Sequence, residues 1–312
     1  MFWLAFLLGL GGLYAYSGIQ VHQAEAEYPP IGEFVTVDSI KVHFLRQGTG
    51  QPVVFLHGSS GQVQDFSMSI FDLMPTRYQS IAFDRPGHGY SERPKDGPVT
   101  VERHAKILHD ALLKLGINKP ILVGYSWSGA EVMSYALQFP NDVKGLVLQS
   151  GYVYAEQGAD MQSYVPQVPL LGSLLLHTLL IPVGRMRQHS AEGNGSGIPP
   201  ENYVKLSQAL ALRPGAAAAA AEDDRLEDAS CERMSPHYPN ITLPVAIVTG
   251  DSDNIVPPLN QGYRLHKEIP QSQLLIVNGG RHDLQWTTPE AIIQAIDMIE
   301  DGVALPRAPE KR

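Results

Sequence analysis

The stretch Ile121-Leu122-Val123-Gly124-Tyr125-Ser126-Trp127-Ser128-Gly129-Ala130 constrains this chain more than any other. An apolar run leads into a serine flanked by small residues, and a helix-forming segment follows at once. The pattern predicts a strand, a very tight turn and a helix. The central residue of such a turn is held at strained backbone angles, and Gly124, Ser128 and Gly129 keep the crossing backbones apart. The turn presents the Ser126 hydroxyl with the free N–H groups of a helix N-terminus behind it. Ser128, also flanked by small residues, is a rival nucleophile, but the strand ends at Gly124 and favours Ser126.

Around that turn the chain alternates strands and helices. Phe34–Val37 and Lys41–Leu45 read as a hairpin across Asp38-Ser39. Pro52–Leu56 is a continuous apolar run, as in a strand covered on both faces, and Ser80–Phe83 is another short strand. A helix is expected over 63–74. Apolar residues at helical spacing predict one over 101–115, stopped by Gly116, and another over 127–138, ended by Pro140. Strands at 120–125, 143–148, 245–248 and 274–277 and helices near 258–268 and 288–300 complete the series. Such alternation implies a parallel sheet with right-handed crossovers. It stops between 153 and 240, an insertion holding the Leu-rich, nearly uncharged Val165–Gly184, a Gly/Ser/Pro-rich loop at 192–200 and six alanines from Ala216 to Ala221. Pro166, Pro169, Pro182 and His177 argue against a second membrane span there, so a lid over a pocket is expected.

The N-terminus is a compositional break. No charged side chain occurs before Glu25, and Phe2–Ile19 is dominated by Leu, Phe, Trp, Ala and Gly. That meets the roughly 20 apolar residues needed to cross a bilayer core. The first basic residue is Lys41 and the small-x-small site at Ala24-Glu25-Ala26 is poor, so residues 1–21 read as an uncleaved single-pass anchor. Residues 22–33 read as a linker. The acidic flank at Glu25 and Glu27 favours a catalytic domain on the translocated side. Gly9, Gly11 and Gly12 would let the anchor pack against a second copy as a homodimer. At 312 residues, 44% hydrophobic and 18% charged, the chain easily buries a large core. Its net charge of −9 argues against nucleic acid. The single cysteine, Cys231, lies in an acidic setting that discourages a thiolate.

A serine nucleophile needs a base, an orienter for that base and donors for the developing oxyanion. Parallel sheets favour such groups at the carboxyl ends of their strands. After the strand at 245–248 comes Gly250-Asp251-Ser252-Asp253; after that at 274–277 comes Gly280-Arg281-His282. His282 is the expected base and Asp253 its orienter, with Asp251 left to shape the turn. The oxyanion donors are expected from the Trp127 N–H and from the loop His57-Gly58-Ser59-Ser60-Gly61, with Ser59 preferred to Ser60. The Trp127 side chain is expected to face the pocket. His57 and His88 lack a metal-ligand spacing and read as structural, so no metal is expected.

Together, His57-Gly58, Asp84-Arg85-Pro86-Gly87-His88-Gly89-Tyr90-Ser91, the Ser126 turn, the Gly250–Pro257 segment and Gly280-Arg281-His282 make the chain resemble the α/β-hydrolase superfamily, in its lid-bearing serine esterase/lipase branch. The resemblance covers residues 33–303. It implies an α/β fold with a mostly parallel eight-stranded sheet, helices on both faces, a core of 34–152 and 241–303, and a helical cap over 153–240. It also implies no cofactor and a structural turn at Asp84. Two departures stand out: Ser128 replaces a glycine, and Gly280-Arg281 precedes the histidine. The expected activity is hydrolysis of an apolar carboxylic ester, lipid or lysolipid esters included. C–C bond hydrolysis, cofactor-free haloperoxidation, acyl transfer and a catalytically silent binding role are the alternatives. Relatives that displace halide or open epoxides use Asp where this chain has Ser126.

Overall fold

Eight strands form a single sheet in the computed structural model, which describes residues 2–156, 158–159, 161–168, 170–184 and 199–302. They are β1 (Glu33–Val37), β2 (Ile40–Gly48), β3 (Gln51–Leu56), β4 (Tyr78–Phe83), β5 (Ile121–Tyr125), β6 (Gly145–Gln149), β7 (Val245–Gly250) and β8 (Gln273–Val277). The spatial order is β1-β2-β4-β3-β5-β6-β7-β8. The β1–β2 and β2–β4 pairs are antiparallel and the remaining five are parallel. Asp38 and Ser39 both take positive φ, the geometry of a two-residue hairpin turn.

The central strands are buried from end to end, and alternate side chains serve two cores. Val54, Leu56 and Leu122 join the apolar faces of α3 (Val101–Lys114) and α4 (Ser128–Gln138) on one side. Val53, Phe55, Ile121 and Val123 meet Ile292 and Ile296 of α9 (Pro289–Asp301) on the other. The Thr100 side chain caps α3 by accepting from the Arg103 N–H. Sheet and flanking helices therefore match the α/β architecture expected.

Local differences have local causes. The expected helix over 63–74 is two short pieces, α2 (Gln64–Ser67) and a 3₁₀ turn at Phe71–Leu73. Between them Ser69 donates its hydroxyl to the Asp65 carbonyl at 2.6 Å, a local bond that competes with helix propagation. The helix expected from 258 begins at Gly262 as α8 (Gly262–Glu268), behind Pro257 and Pro258. At the N-terminus, α1 runs from Phe2 to Glu27, past the expected anchor boundary at 21. Helix formers continue through Glu27 and Pro29-Pro30 stops them, which shortens the linker expected at 22–33 to residues 28–32.

Between β6 and β7 the described chain contains no strand. It holds a 3₁₀ segment (Met161–Gln167), α5 (Leu171–Thr178), helical residues 180–184, α6 (Glu201–Ala211), α7 (Pro214–Met234) and a second 3₁₀ segment (Ser235–Asn240). Residues 192–198 of the expected polar loop lie outside the described residues. The alanine run sits inside α7, whose Asp223 is buried against the sheet-bearing part of the chain.

Candidate active site

Ser126 sits between the last residue of β5 and the first turn of α4, at φ +53. A non-glycine residue there is strained, and the surroundings hold it. Its N–H donates to the Gln149 carbonyl at 3.1 Å, while its own carbonyl accepts from Gly129 at 2.8 Å and Tyr152 at 2.9 Å. Gly124 is required because a Cβ would lie 2.4 Å from the Ser128 carbonyl oxygen. The loop after β3 passes so close that a Cβ on Gly58 would stand 3.1 Å from the Ser126 Cβ. Ser128, the rival, is wholly buried in α4 and donates its hydroxyl to the His57 carbonyl at 2.6 Å. It points into the scaffold.

The loops after β7 and β8 bring the other two groups to Ser126. His282 Nε2 lies 2.9 Å from Ser126 Oγ, and His282 Nδ1 lies 2.8 Å from Asp253 Oδ2. Asp253 Oδ1 accepts from the N–H groups of Ile255 and Val256, each at 2.9 Å. Burial pushes the Asp253 carboxyl up, but its bond to His282 and these two N–H groups outweigh that and hold it below the ordinary value. An ionised carboxylate can only accept, so Nδ1 carries the imidazole proton and Nε2 turns its lone pair to the Ser126 hydroxyl. Asp251 instead accepts from the Gly279 N–H at 2.7 Å and from the Ser252 hydroxyl, tying the two loops together at the surface.

Beside the expected oxyanion donors, the Gly58–Ser59 peptide is held from its carbonyl side. The Gly58 carbonyl is engaged by Arg85 Nη2 at 3.0 Å, by His57 Nδ1 at 2.8 Å and by the Gly61 N–H at 3.2 Å. In a trans peptide the N–H points opposite to the carbonyl, so the Ser59 N–H is turned away from all three. Trp127 precedes α4, and its N–H is among those that a helix start leaves unpaired. Its side chain differs from expectation. The indole is buried, with the Arg85 guanidinium 3.9 Å over its ring and His104 edge-on at 5.0 Å, so it packs into the scaffold. His57 and His88 are fully buried, and burial lowers both well below the usual histidine range. His57 Nε2 accepts from the Arg85 N–H at 3.0 Å. Asp84 accepts from the N–H groups of Val63 and Tyr90, as a structural turn would. Burial and then Glu227 push the Cys231 thiol up, leaving no thiolate. Among the described residues, no group of three or more His, Cys, Asp or Glu side chains is placed to hold a metal ion.

Three features beside the site had no sequence signal. The Tyr125 hydroxyl donates to Asp283 Oδ1 at 2.5 Å, joining the residue before Ser126 to the residue after His282. Arg85 reaches Asp223 of α7 at 2.6 Å, and both are almost wholly buried. Glu131, one turn into α4, is buried 3.5 Å from the Ser128 hydroxyl, and burial raises its pKa to about 7. An acid with a raised folded-state pKa binds more protons folded than unfolded between those values, so it makes stability fall as pH rises between about 4.5 and about 7. Glu131→Gln is expected to remove that component, up to about 3 kcal/mol. Urea unfolding at pH 4.5, 6 and 8 should show a flatter profile for the variant; an unchanged slope would reject the assignment.

Residues 51–289 match the family model described as the alpha/beta hydrolase fold. Haloalkane dehalogenase 2 of Mycobacterium tuberculosis is 24% identical over 264 residues, covering 82% of this chain and 90% of that protein. Among solved structures, a thermophilic esterase from Thermogutta terrifontis superposes with a TM-score of 0.65 at 23% identity, over 88% of this chain and 99% of the other. A bromoperoxidase from Bacillus anthracis superposes at 0.66 with 21% identity, over 86% and 99%. These two structures share the fold, and their names cover different chemistries. With more than half its length matched by the family model, and with the sheet order and strand-end loops described above, this chain belongs to the alpha/beta hydrolase family.

Proposed function

We propose that this protein is a serine hydrolase that cleaves carboxylic esters through an acyl-enzyme on Ser126. The observation that carries the reading is the unbroken chain from Ser126 Oγ through His282 to Asp253, at 2.9 and 2.8 Å. In this mechanism Ser126 Oγ attacks the ester carbonyl carbon while His282 Nε2 takes its proton. Asp253 stabilises the imidazolium, and the N–H groups of Ser59 and Trp127 receive the oxyanion. Collapse of the tetrahedral species expels the alcohol, which takes the proton from His282. Water, deprotonated by the same histidine, then attacks the acyl carbon and releases the acid and free Ser126. A hydroxyl at position 126, where halide displacement would need a carboxylate, supports acyl transfer to water over dehalogenation.

The helices of 153–240 serve as the cap in this reading, and their Leu-rich part favours an apolar acyl group. The helix Trp3–Glu27 is long and apolar enough to cross a membrane and is 6% buried over its most apolar window, which supports membrane residence. Lipid or lysolipid esters are then the fitting substrate class. A fluorophosphonate probe should label the wild type and not Ser126→Ala. Hydrolysis of p-nitrophenyl esters from butyrate to palmitate should be measurable and should favour the longer chains. Labelling of Ser126→Ala, or inactivity across the whole ester series, would overturn the reading.

A further inference from the structure

The second half of α1 packs along the helical cap. Tyr14 stacks on His177 of α5 with ring centroids 5.3 Å apart, Ser17 is buried, and Glu25 pairs with Arg213 at 3.0 Å. This packing fixes depth. A helix rises about 1.5 Å per residue, which puts Tyr14 about 18 Å along the axis from Phe2. A hydrocarbon core is roughly 30 Å thick, so a membrane-crossing α1 carries Tyr14 inside it. Whatever lies beside Tyr14 must then tolerate lipid.

The neighbouring surface has that character. From Val165 to Gly184 there is no charged residue. Twenty-four large hydrophobic side chains are exposed among the described residues; seven lie on α1 and nine lie between Met161 and Val183. Leu170, at the start of α5, is 90% exposed and sits at φ +64, where a branched side chain is disfavoured and a glycine would be at ease. Exposed apolar patches of this extent mark interaction surfaces, and this one is continuous with α1.

A cavity of about 600 Å³ lies beside it, between α1 and the core, lined in part by Ser17, Val21, Tyr90 and Arg213.

We propose that α1 and the outer face of α5 form one bilayer-embedded surface. The cap thus sits at the depth of the lipid acyl chains. This rests on the membrane residence proposed above and adds the cap as a second lipid contact.

The test is nitroxide labelling of the full chain in phosphatidylcholine vesicles, on a Cys231→Ala background. Single variants Leu170→Cys and Leu174→Cys report the cap, Leu8→Cys reports α1, and Leu113→Cys on α3 is the aqueous control. A polar nickel chelate is excluded from hydrocarbon and oxygen is enriched there, so the cap and α1 labels should show an oxygen-to-nickel accessibility ratio at least about tenfold above that of Leu113. Cap labels as nickel-accessible as Leu113, with Leu8 in hydrocarbon, would overturn the proposal and leave the anchor standing. Aqueous labels at Leu8 as well would overturn both. Strong spin–spin broadening between cap labels would assign the face to a second copy of the chain, also against the proposal. Fluorophosphonate labelling of the same samples reads the catalytic assignment separately.

Discussion

Ser126→Ala is expected to lower kcat for p-nitrophenyl butyrate by about 10⁴- to 10⁶-fold, with a far smaller change in KM. The size follows from what the hydroxyl does in this geometry. In the proposed mechanism it supplies the attacking electron pair, and its 2.9 Å contact with His282 Nε2 lets the histidine act as a base. Removing either partner removes the same step, so His282→Ala should fall in the same range and the double variant should be no worse than either single one. Asp253→Asn should cost about 10⁴-fold, because an amide can donate to Nδ1 and turn the imidazole into the wrong tautomer. Ser128→Ala separates the two serines. It should retain kcat within about tenfold while losing about 1–2 kcal/mol of stability, since the buried His57 carbonyl loses its hydroxyl donor. Steady-state kinetics and urea unfolding on the four single variants decide the matter. A Ser128→Ala variant as inactive as Ser126→Ala, at unchanged stability, would put the nucleophile at the wrong residue.

What the sequence makes legible is what local chemistry dictates. A strand that must stop, turn at positive φ and start a helix demands small residues at fixed offsets, and Gly124, Ser126 and Gly129 meet that demand within six positions. Asp253 and His282 are readable for the same reason, each in a loop directly behind an apolar strand. Long-range packing leaves no such trace. Asp223 lies 138 residues from Arg85, next to an alanine run that signals only helix. The burial of the Trp127 indole depends on that partnership, and nothing within ten residues of Trp127 announces it. The broken helix over 63–74 is an intermediate case: the apolar spacing is helical, and one serine hydroxyl at Ser69 redirects the backbone.

Asp223→Ala is expected to cost about 3–5 kcal/mol of stability. Asp223 Oδ2 lies 2.6 Å from Arg85 Nη1, and Oδ1 lies 3.0 Å from His104 Nε2 and 2.7 Å from Arg93 Nη2. Burial pushes this carboxyl up, yet His104 and Arg85 beside it hold it well below the ordinary value of 3.8. A carboxylate with a depressed folded-state pKa contributes stability that is complete above the unfolded value and disappears as pH falls through the folded one. The gap between wild type and Asp223→Ala should therefore be constant above about pH 5 and should shrink steadily below about pH 4. Most of the cost is the arginine left behind, buried and charged without its counterion. Arg85→Met combined with Asp223→Leu should accordingly lose much less than Asp223→Ala alone, since apolar side chains of similar volume remove both charges at once. The pair also links two parts of the molecule. Asp223 holds Arg85, Arg85 lies over the Trp127 ring, and Trp127 adjoins the strained Ser126. Loosening the α7 end of that chain frees the guanidinium that packs the turn from below, so Asp223→Ala should lower kcat as well as the urea midpoint, while the double replacement restores the midpoint more fully than kcat. Urea unfolding between pH 3 and 8, with kcat on the same samples, tests this. A single variant no less stable than the double one would mean that the ion pair does not hold α7 to the sheet.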